Sequence, residues 1–230
     1  MYTPISSSYL QAEKMNDIEE KQKQATKYYD KFAKVYDWIS SKSYYSKPRE
    51  FAFDQLDLDM NQIVLNLPCG TGQNFEYYQK YLSNSGTIIG IDISQGMLEK
   101  AEEKVQKNNW KNVKTFKADA RKIDEYWIKK KLETELKFDS IFCDLGLSGF
   151  PEWESIIDNL IALLKPKGKI VIMDWYIDKP SLRGTFIKWI GKGEVNRPLY
   201  QYLEDKVTDF KVNKSFKSGQ MFVASGTKKE

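Results

Sequence analysis

The stretch Gln62–Phe75, QIVLNLPCGTGQNF, constrains this chain more than any other. Gln62 to Leu67 is rich in Ile, Val and Leu and reads as a buried strand. Pro68, Gly70 and Gly72 follow at intervals of two, and from Gln73 the pattern turns helical. A strand, a glycine turn and a helix make the first βα unit of a nucleotide-binding sheet. Without a Cβ, glycine accepts positive φ and lets a ligand lie against the backbone. The helix beyond it aims free N–H groups and a partial positive charge at that ligand. An ordinary strand-to-helix turn with no ligand is the plain alternative.

The turn departs from the dinucleotide fingerprint G-x-G-x-x-G, because its third glycine position is Phe75. As N-x-P-x-G-x-G it resembles the D/E-x-G-x-G-x-G turn of class I S-adenosylmethionine-dependent methyltransferases. Asn66 stands where that family has an acid, and Pro68 where it has a glycine. The resemblance implies that Gly70 and Gly72 cradle S-adenosyl-L-methionine, with Asn66 accepting from the methionine ammonium without a full charge.

A second match comes downstream. TIIGIDIS reads as a buried strand ending at Asp92, twenty residues after Gly72. At that offset an acid meets the ribose hydroxyls of a βαβ nucleotide site, and a carboxylate can accept from both. Helix capping is the competing role for Asp92, although Ser94 is better placed for it. SQGMLEKAEEKVQKN is a helix with Met97, Leu98, Ala101 and Val105 on its buried face. In the resembling family the apolar residue after the acid and the methionine region pack on adenine, which puts Ile93 and Met97 there. A core role for Met97 is the alternative. NVKTFKADA is a third strand ending at Asp119, where the family sets a polar group against the adenine amino group. Ala120 then offers a backbone N–H, and Asp119 can also cap the short helix after it.

FDSIFCDLGL is the fourth strand, ending at Asp144 on the ligand edge of the sheet. In the family this strand end borders the sulfonium methyl, so Leu145, Gly146, Leu147 and Ser148 line the reaction zone; a cap or turn hydrogen bond is the plain role for Asp144. PEWESIIDNLIALL is a helix, KPKG a turn and KIVIMDWY a fifth strand. DFKVNKSFK and QMFVASGTK alternate about Ser218-Gly219 as an antiparallel hairpin. The expected fold is α/β and Rossmann-like, a mostly parallel seven-stranded sheet with a terminal antiparallel hairpin and helices on both faces. The resemblance runs over roughly residues 25–228.

Two segments lie outside the βα series. Residues 1–58 are expected as a helical lid ahead of a 59–230 methyltransferase domain, with Pro48 opening a helix that ends near Leu58. YYDKFAKVYD resembles the entry segment of ubiquinone/menaquinone-biosynthesis methyltransferases, which folds over cofactor and substrate; Tyr36 belongs to it. The second, 179–202, interleaves Phe186, Ile187, Trp189 and Ile190 with Arg183, Lys188 and Lys192. A lid insertion, a core-packing helix and peripheral membrane contact through 181–192 are its three readings.

Composition narrows the chemistry. There is no histidine, the usual neutral-pH base and metal ligand, and two cysteines do not make a zinc site, so no metal is expected. A base would be Asp144, a tyrosine such as Tyr36, or water. Net charge is +4, too mild to argue for nucleic acid. Cys69 and Cys143 fit a reducing, cytoplasmic setting and are expected as free thiols near each other at adjacent strand ends. No apolar run nears the length of a membrane span, and the N-terminus lacks a signal-peptide core. The leading expectation is methyl transfer to a small or amphiphilic acceptor, such as a quinone precursor or an aminophospholipid headgroup. A non-catalytic S-adenosylmethionine- or nucleoside-binding module is the alternative, and an NAD-type oxidoreductase is disfavoured by Phe75 and the terminal hairpin.

Overall fold

The computed structural model describes residues 20, 23, 24, 26, 27, 30, 42–179, 184, 185 and 194–230. Its strands are β1 (Ile63–Asn66), β2 (Thr87–Asp92), β3 (Val113–Lys117), β4 (Phe138–Asp144), β5 (Leu164–Trp175), β6 (Val207–Phe216) and β7 (Met221–Lys228). They form one sheet in the order β3-β2-β1-β4-β5-β7-β6. The first five strands run parallel, while β7 is antiparallel to both β5 and β6. The expected fold class and terminal hairpin are both present.

Both faces are covered, which is why the central strands read as unbroken apolar runs. Period-2 alternation sorts their side chains between two cores. Val64, Ile88, Phe142, Val171 and Met173 face one side, with the helices Lys42–Leu56, Phe75–Leu82 and Gln95–Lys107. Leu65, Ile89, Ile141, Ile170 and Ile172 face the other, with Glu125–Leu132, Trp153–Leu163 and Leu199–Lys206. Around Phe53, rings of Tyr77, Tyr78 and Phe142 stack or meet edge to face at 4.8–5.5 Å.

Several local expectations shift. β3 stops at Lys117, two residues short of Asp119. The KPKG turn is absorbed into the start of β5, where Lys167 has φ 63°. Pro48 does not open a helix; it lies inside Lys42–Leu56. An interior proline leaves the carbonyl four residues back without its N–H partner. Here that carbonyl belongs to Tyr44, and the Lys217 ammonium donates to it from the β6–β7 turn. The same ammonium sits over the Tyr44 ring. Tyr36, most of residues 1–58 and half of residues 179–202 lie outside the described residues.

The cysteines are both free and buried, and β1 and β4 are neighbours as expected. The thiols nevertheless join different cores, Cys69 on one side of the sheet and Cys143 on the other. Among the described residues, no helix is long and apolar enough to cross a membrane.

Candidate active site

The order of succession of the strands reverses between the parallel neighbours β1 and β4, so the crevice opens at their C-terminal ends. The register aligns those ends: Asn66 pairs with Gly90 on one side and Phe142 on the other, and Asp92 and Asp144 close β2 and β4. Gly90 lacks a Cβ where one would meet Phe75 at 2.8 Å and Cys69 at 3.2 Å. That absence lets the turn after β1 settle close against β2.

The glycine turn is held by its neighbours. Cys69 N donates to Ile91 O at 2.8 Å, and Gly72 N to Cys69 O at 2.9 Å. Gly70 N donates to Asp92 Oδ2 at 2.8 Å, and Ser94 N to Asp92 Oδ1 at 2.9 Å. Gly70 and Gly72 have φ of 53° and 73°. Their roles differ. A Cβ on Gly72 would strike the Phe75 ring at 2.8 Å, whereas one on Gly70 would project into open space. Gly72 therefore serves packing and Gly70 borders a cradle. Gly70→Ala is expected to cost about 1–2 kcal/mol of stability for its left-handed backbone. Its S-adenosylhomocysteine affinity is expected to fall at least about tenfold, since the methyl enters the cradle. Urea unfolding and calorimetric titration of the same sample check both values.

Beside this turn lies a buried polar network. Arg49 Nε donates to Asp144 Oδ2 at 2.8 Å, an ion pair whose side chains are 3% and 4% exposed. Arg49 Nη1 reaches Gln73 Oε1 at 2.6 Å. Asn74 Nδ2 donates to Asp144 Oδ2 at 3.0 Å and to Asn66 Oδ1 at 3.3 Å. Asn66 is fully buried, and its Nδ2 donates to the Phe142 and Pro68 carbonyls. The Asn66 amide thus ties β1 to β4 and to its own turn. Pro68 packs where a Cβ on Gly146 would collide with its ring, joining the turns after β1 and β4. Asp144 Oδ1 and Asn74 Oδ1 are buried without a hydrogen-bond partner among the described residues. Two uncommitted acceptors beside an open glycine cradle suit a ligand with an ammonium group.

Asp92 is buried, and burial raises its pKa from 3.8 to about 6 against the pull of the Ser94, Gly70 and Ile93 N–H groups; the nearby Asp30 charge adds to the rise. Met97 is buried, Ile93 half-buried. Ser94 caps Gln95–Lys107, its hydroxyl accepting from Met97 N at 3.2 Å. Asp119 caps the 3-10 turn Ala120–Lys122 and also pairs with Arg121 Nη2 at 2.6 Å. Ala120 is buried beside it.

Sequence reasoning missed Arg49, Gln73, Asn74 and Asp30. Asp30 comes from the N-terminal segment. Its Oδ1 accepts from Ser94 Oγ at 2.6 Å and Gly96 N at 3.1 Å, next to the Asp92 carboxylate. The tyrosine-rich motif YYDKFAKVYD held that acid in view, but nothing in its spacing named a partner. Also missed was the Asp174–Ser148 pair, with Ser148 N and Oγ each 3.0 Å from an Asp174 oxygen. Asp174 closes toward the end of β5, and burial raises its pKa to about 6, with Asp144 adding to the rise.

The family model for a methyltransferase domain matches residues 58–213. The chain belongs to the methyltransferase-domain family. Class I architecture and S-adenosyl-L-methionine as cofactor stand with that membership. Among curated relatives, a demethylmenaquinone methyltransferase of Lactobacillus johnsonii is 28% identical over 127 residues, 55% of this chain and 49% of the relative. One from a Geobacillus species is 25% identical over 159 residues, 68% of this chain and 64% of the relative. The chain thus spans about half to two thirds of the length of these two curated relatives. A solved S-adenosylmethionine-dependent methyltransferase of Aquifex aeolicus superposes with TM-score 0.54 at 22% identity, covering 78% of this chain and 89% of that one. A phosphoethanolamine N-methyltransferase of Haemonchus contortus gives TM-score 0.67 at 14% identity, over 87% of this chain and 58% of that one. At those identities the two solved methyltransferases speak for the fold alone.

Proposed function

We propose that the protein transfers the methyl group of S-adenosyl-L-methionine to a small or amphiphilic acceptor, a quinone precursor or an aminophospholipid headgroup. One observation carries this reading: the Asp92 carboxylate is fixed against the Gly70 turn, beside space that a Cβ at Gly70 would enter. In the proposal Gly70 borders the methionine portion and Gly72 lets the turn close on Phe75 beneath it, with Asn66, Pro68 and Asp144 behind. Asp92 takes the ribose hydroxyls, Ile93 and Met97 flank adenine, and Asp119 with Ala120 meets its edge. Tyr36 belongs to the cover.

When bound, the cofactor supplies a sulfonium methyl, already a strong electrophile. The protein's task is then alignment and exclusion of water. Arg49 and Asn74 hold Asp144 as a fixed carboxylate at the end of β4, with its other oxygen uncommitted among the described residues. Committed to Arg49, Asp144 is an electrostatic partner for a cation. Asp174, raised to about 6 and joined to Ser148, is a carboxylate whose proton affinity suits a base near neutrality. The Asp30 contacts with Ser94 and Gly96 favour the lid role of residues 1–58, here over the cofactor crevice. A second cover at 179–202, membrane contact through 181–192 and a cytoplasmic, peripherally bound protein complete the proposal.

The quinone reading draws support from the demethylmenaquinone methyltransferases among the relatives. The test is transfer of labelled methyl to a demethylated naphthoquinol and to aminophospholipid vesicles. Label in either product identifies the acceptor class. S-adenosylhomocysteine binding with no transfer to either would sink the acceptor reading and leave a binding module.

A further inference from the structure

A second polar cluster lies on the acceptor side of the crevice, past the ends of β4 and β5. Residues 194–197 cross those ends. Glu194 N donates to Ser148 O at 3.0 Å, and Ile177 N to Val195 O at 2.6 Å. This crossing brings Arg197 within electrostatic reach of Asp174, the partner of Ser148, and of Glu152, the residue that precedes Trp153–Leu163. Arg197 is half-buried, yet its Nη1 is a buried donor with no hydrogen-bond partner among the described residues. Glu152 Oε2 is likewise buried without a partner there, and its other oxygen is 3.7 Å from Arg121 Nη1. Glu194, Glu152 and Asp174 all act on the Arg197 charge, but desolvation outweighs them and draws its pKa down. No described residue gives that Nη1 the charged hydrogen bond its burial calls for.

We infer that Arg197 is an acceptor-binding residue whose Nη1 holds an oxyanion of the methyl acceptor, a phenolate or an enolate. The inference rests on the methyltransferase reading above, since it takes the ends of β4 and β5 as the acceptor side. The chemistry is consistent with that reading. A carbon or oxygen nucleophile of this class reacts as its anion, and a fixed guanidinium favours the ionised form. Asp174, hydrogen-bonded to Ser148, acts electrostatically on the same guanidinium, so a carboxylate is within reach of that charge to take the proton leaving a phenol. Glu152 opposes the anion and limits its affinity, a repulsion that the Glu152→Gln substitution removes.

The probe is 4-nitrophenol, a phenol that ionises near neutrality and changes colour when it does. It is titrated into the protein saturated with S-adenosylhomocysteine, and the phenolate band reports both affinity and the apparent pKa of the bound phenol. Wild type is expected to bind the phenolate and lower that pKa. Arg197→Met should weaken phenolate binding about tenfold or more and abolish the pKa shift, with Arg197→Lys restoring part of both. Glu152→Gln should tighten binding, which keeps the inference testable if Arg197→Met folds poorly. Equal phenolate binding in wild type and Arg197→Met, or no effect of Glu152→Gln, would overturn it and mark the site as one for an ordinary buried water. No phenolate binding by a wild type that binds S-adenosylhomocysteine also overturns it and leaves the cofactor reading intact. Failure to bind S-adenosylhomocysteine at all would instead bring down the methyltransferase reading.

Discussion

Asp92→Ala is expected to bind S-adenosylhomocysteine roughly a hundredfold more weakly than wild type, because two hydrogen bonds to a charged acceptor are lost together. The same carboxylate receives the Gly70 and Ser94 N–H groups, so the variant also loosens the turn that borders the cradle. Asp92→Asn separates these effects, as its amide oxygen keeps one acceptor in place. A pH profile gives a sharper signature. The folded chain holds the Asp92 proton at about 6 and the ordinary carboxylate value is 3.8. Folding therefore raises its proton affinity, and Asp92 favours the native state most at pH below 3.8. That contribution is lost as pH rises through about 6. Ligand affinity runs the opposite way, since a diol needs the carboxylate as acceptor, and should decline as pH drops below about 6. Calorimetric titration on both sides of that value, in wild type and Asp92→Asn, checks the crossing trends. A wild-type affinity flat across pH 6 would remove Asp92 from the ribose site.

The largest stability effect is expected at Arg49. Arg49→Ala should cost about 3–5 kcal/mol, measured as a lowered urea midpoint at unchanged slope, because it strands the buried Asp144 charge. The loss follows from desolvation more than from Coulomb attraction. Replacing both partners, as in Arg49→Met with Asp144→Leu, should accordingly recover most of the stability. It should not recover cofactor affinity, because the uncommitted Asp144 acceptor that the proposal assigns to the cofactor is gone. A single variant within about 1 kcal/mol of wild type would mean that the pair is screened by solvent after all.

These two sites were unequally legible in the sequence. Asp92 was readable because its distance from Gly72 is set by one helix and one strand, a local geometry that repeats wherever a βαβ unit binds a nucleotide. The strands were readable for a related reason: each is a short apolar run ending at a polar residue, Asn66, Asp92 or Asp144. Arg49 gave no such signal. Its partner Asp144 is 95 residues away, and only the packing of the helix on β4, β5 and β7 brings the two together. Asn66 was visible as a departure from the family turn, but its commitment to Asn74 and two carbonyls depends on packing that no spacing encodes. The cysteines make the same distinction. Adjacent strands were foreseeable from topology, whereas the face each thiol takes depends on the turn after β1, which carries Cys69 past the regular alternation of the strand.

The seat of Lys42–Leu56 has a consequence for the order in which the molecule becomes competent. This helix supplies Arg49, yet it packs against β5 and β7, and the carbonyl freed by Pro48 is answered by Lys217, 173 residues downstream of Tyr44. A ribosome, at roughly 5–20 residues per second, delivers those partners well after the helix itself. Until the hairpin emerges, the first βα units can pair among themselves while the helix that completes the crevice has nowhere to dock. Cofactor capture is thereby deferred until β5, β7 and Lys217 have emerged, and the nascent chain is spared a half-built crevice.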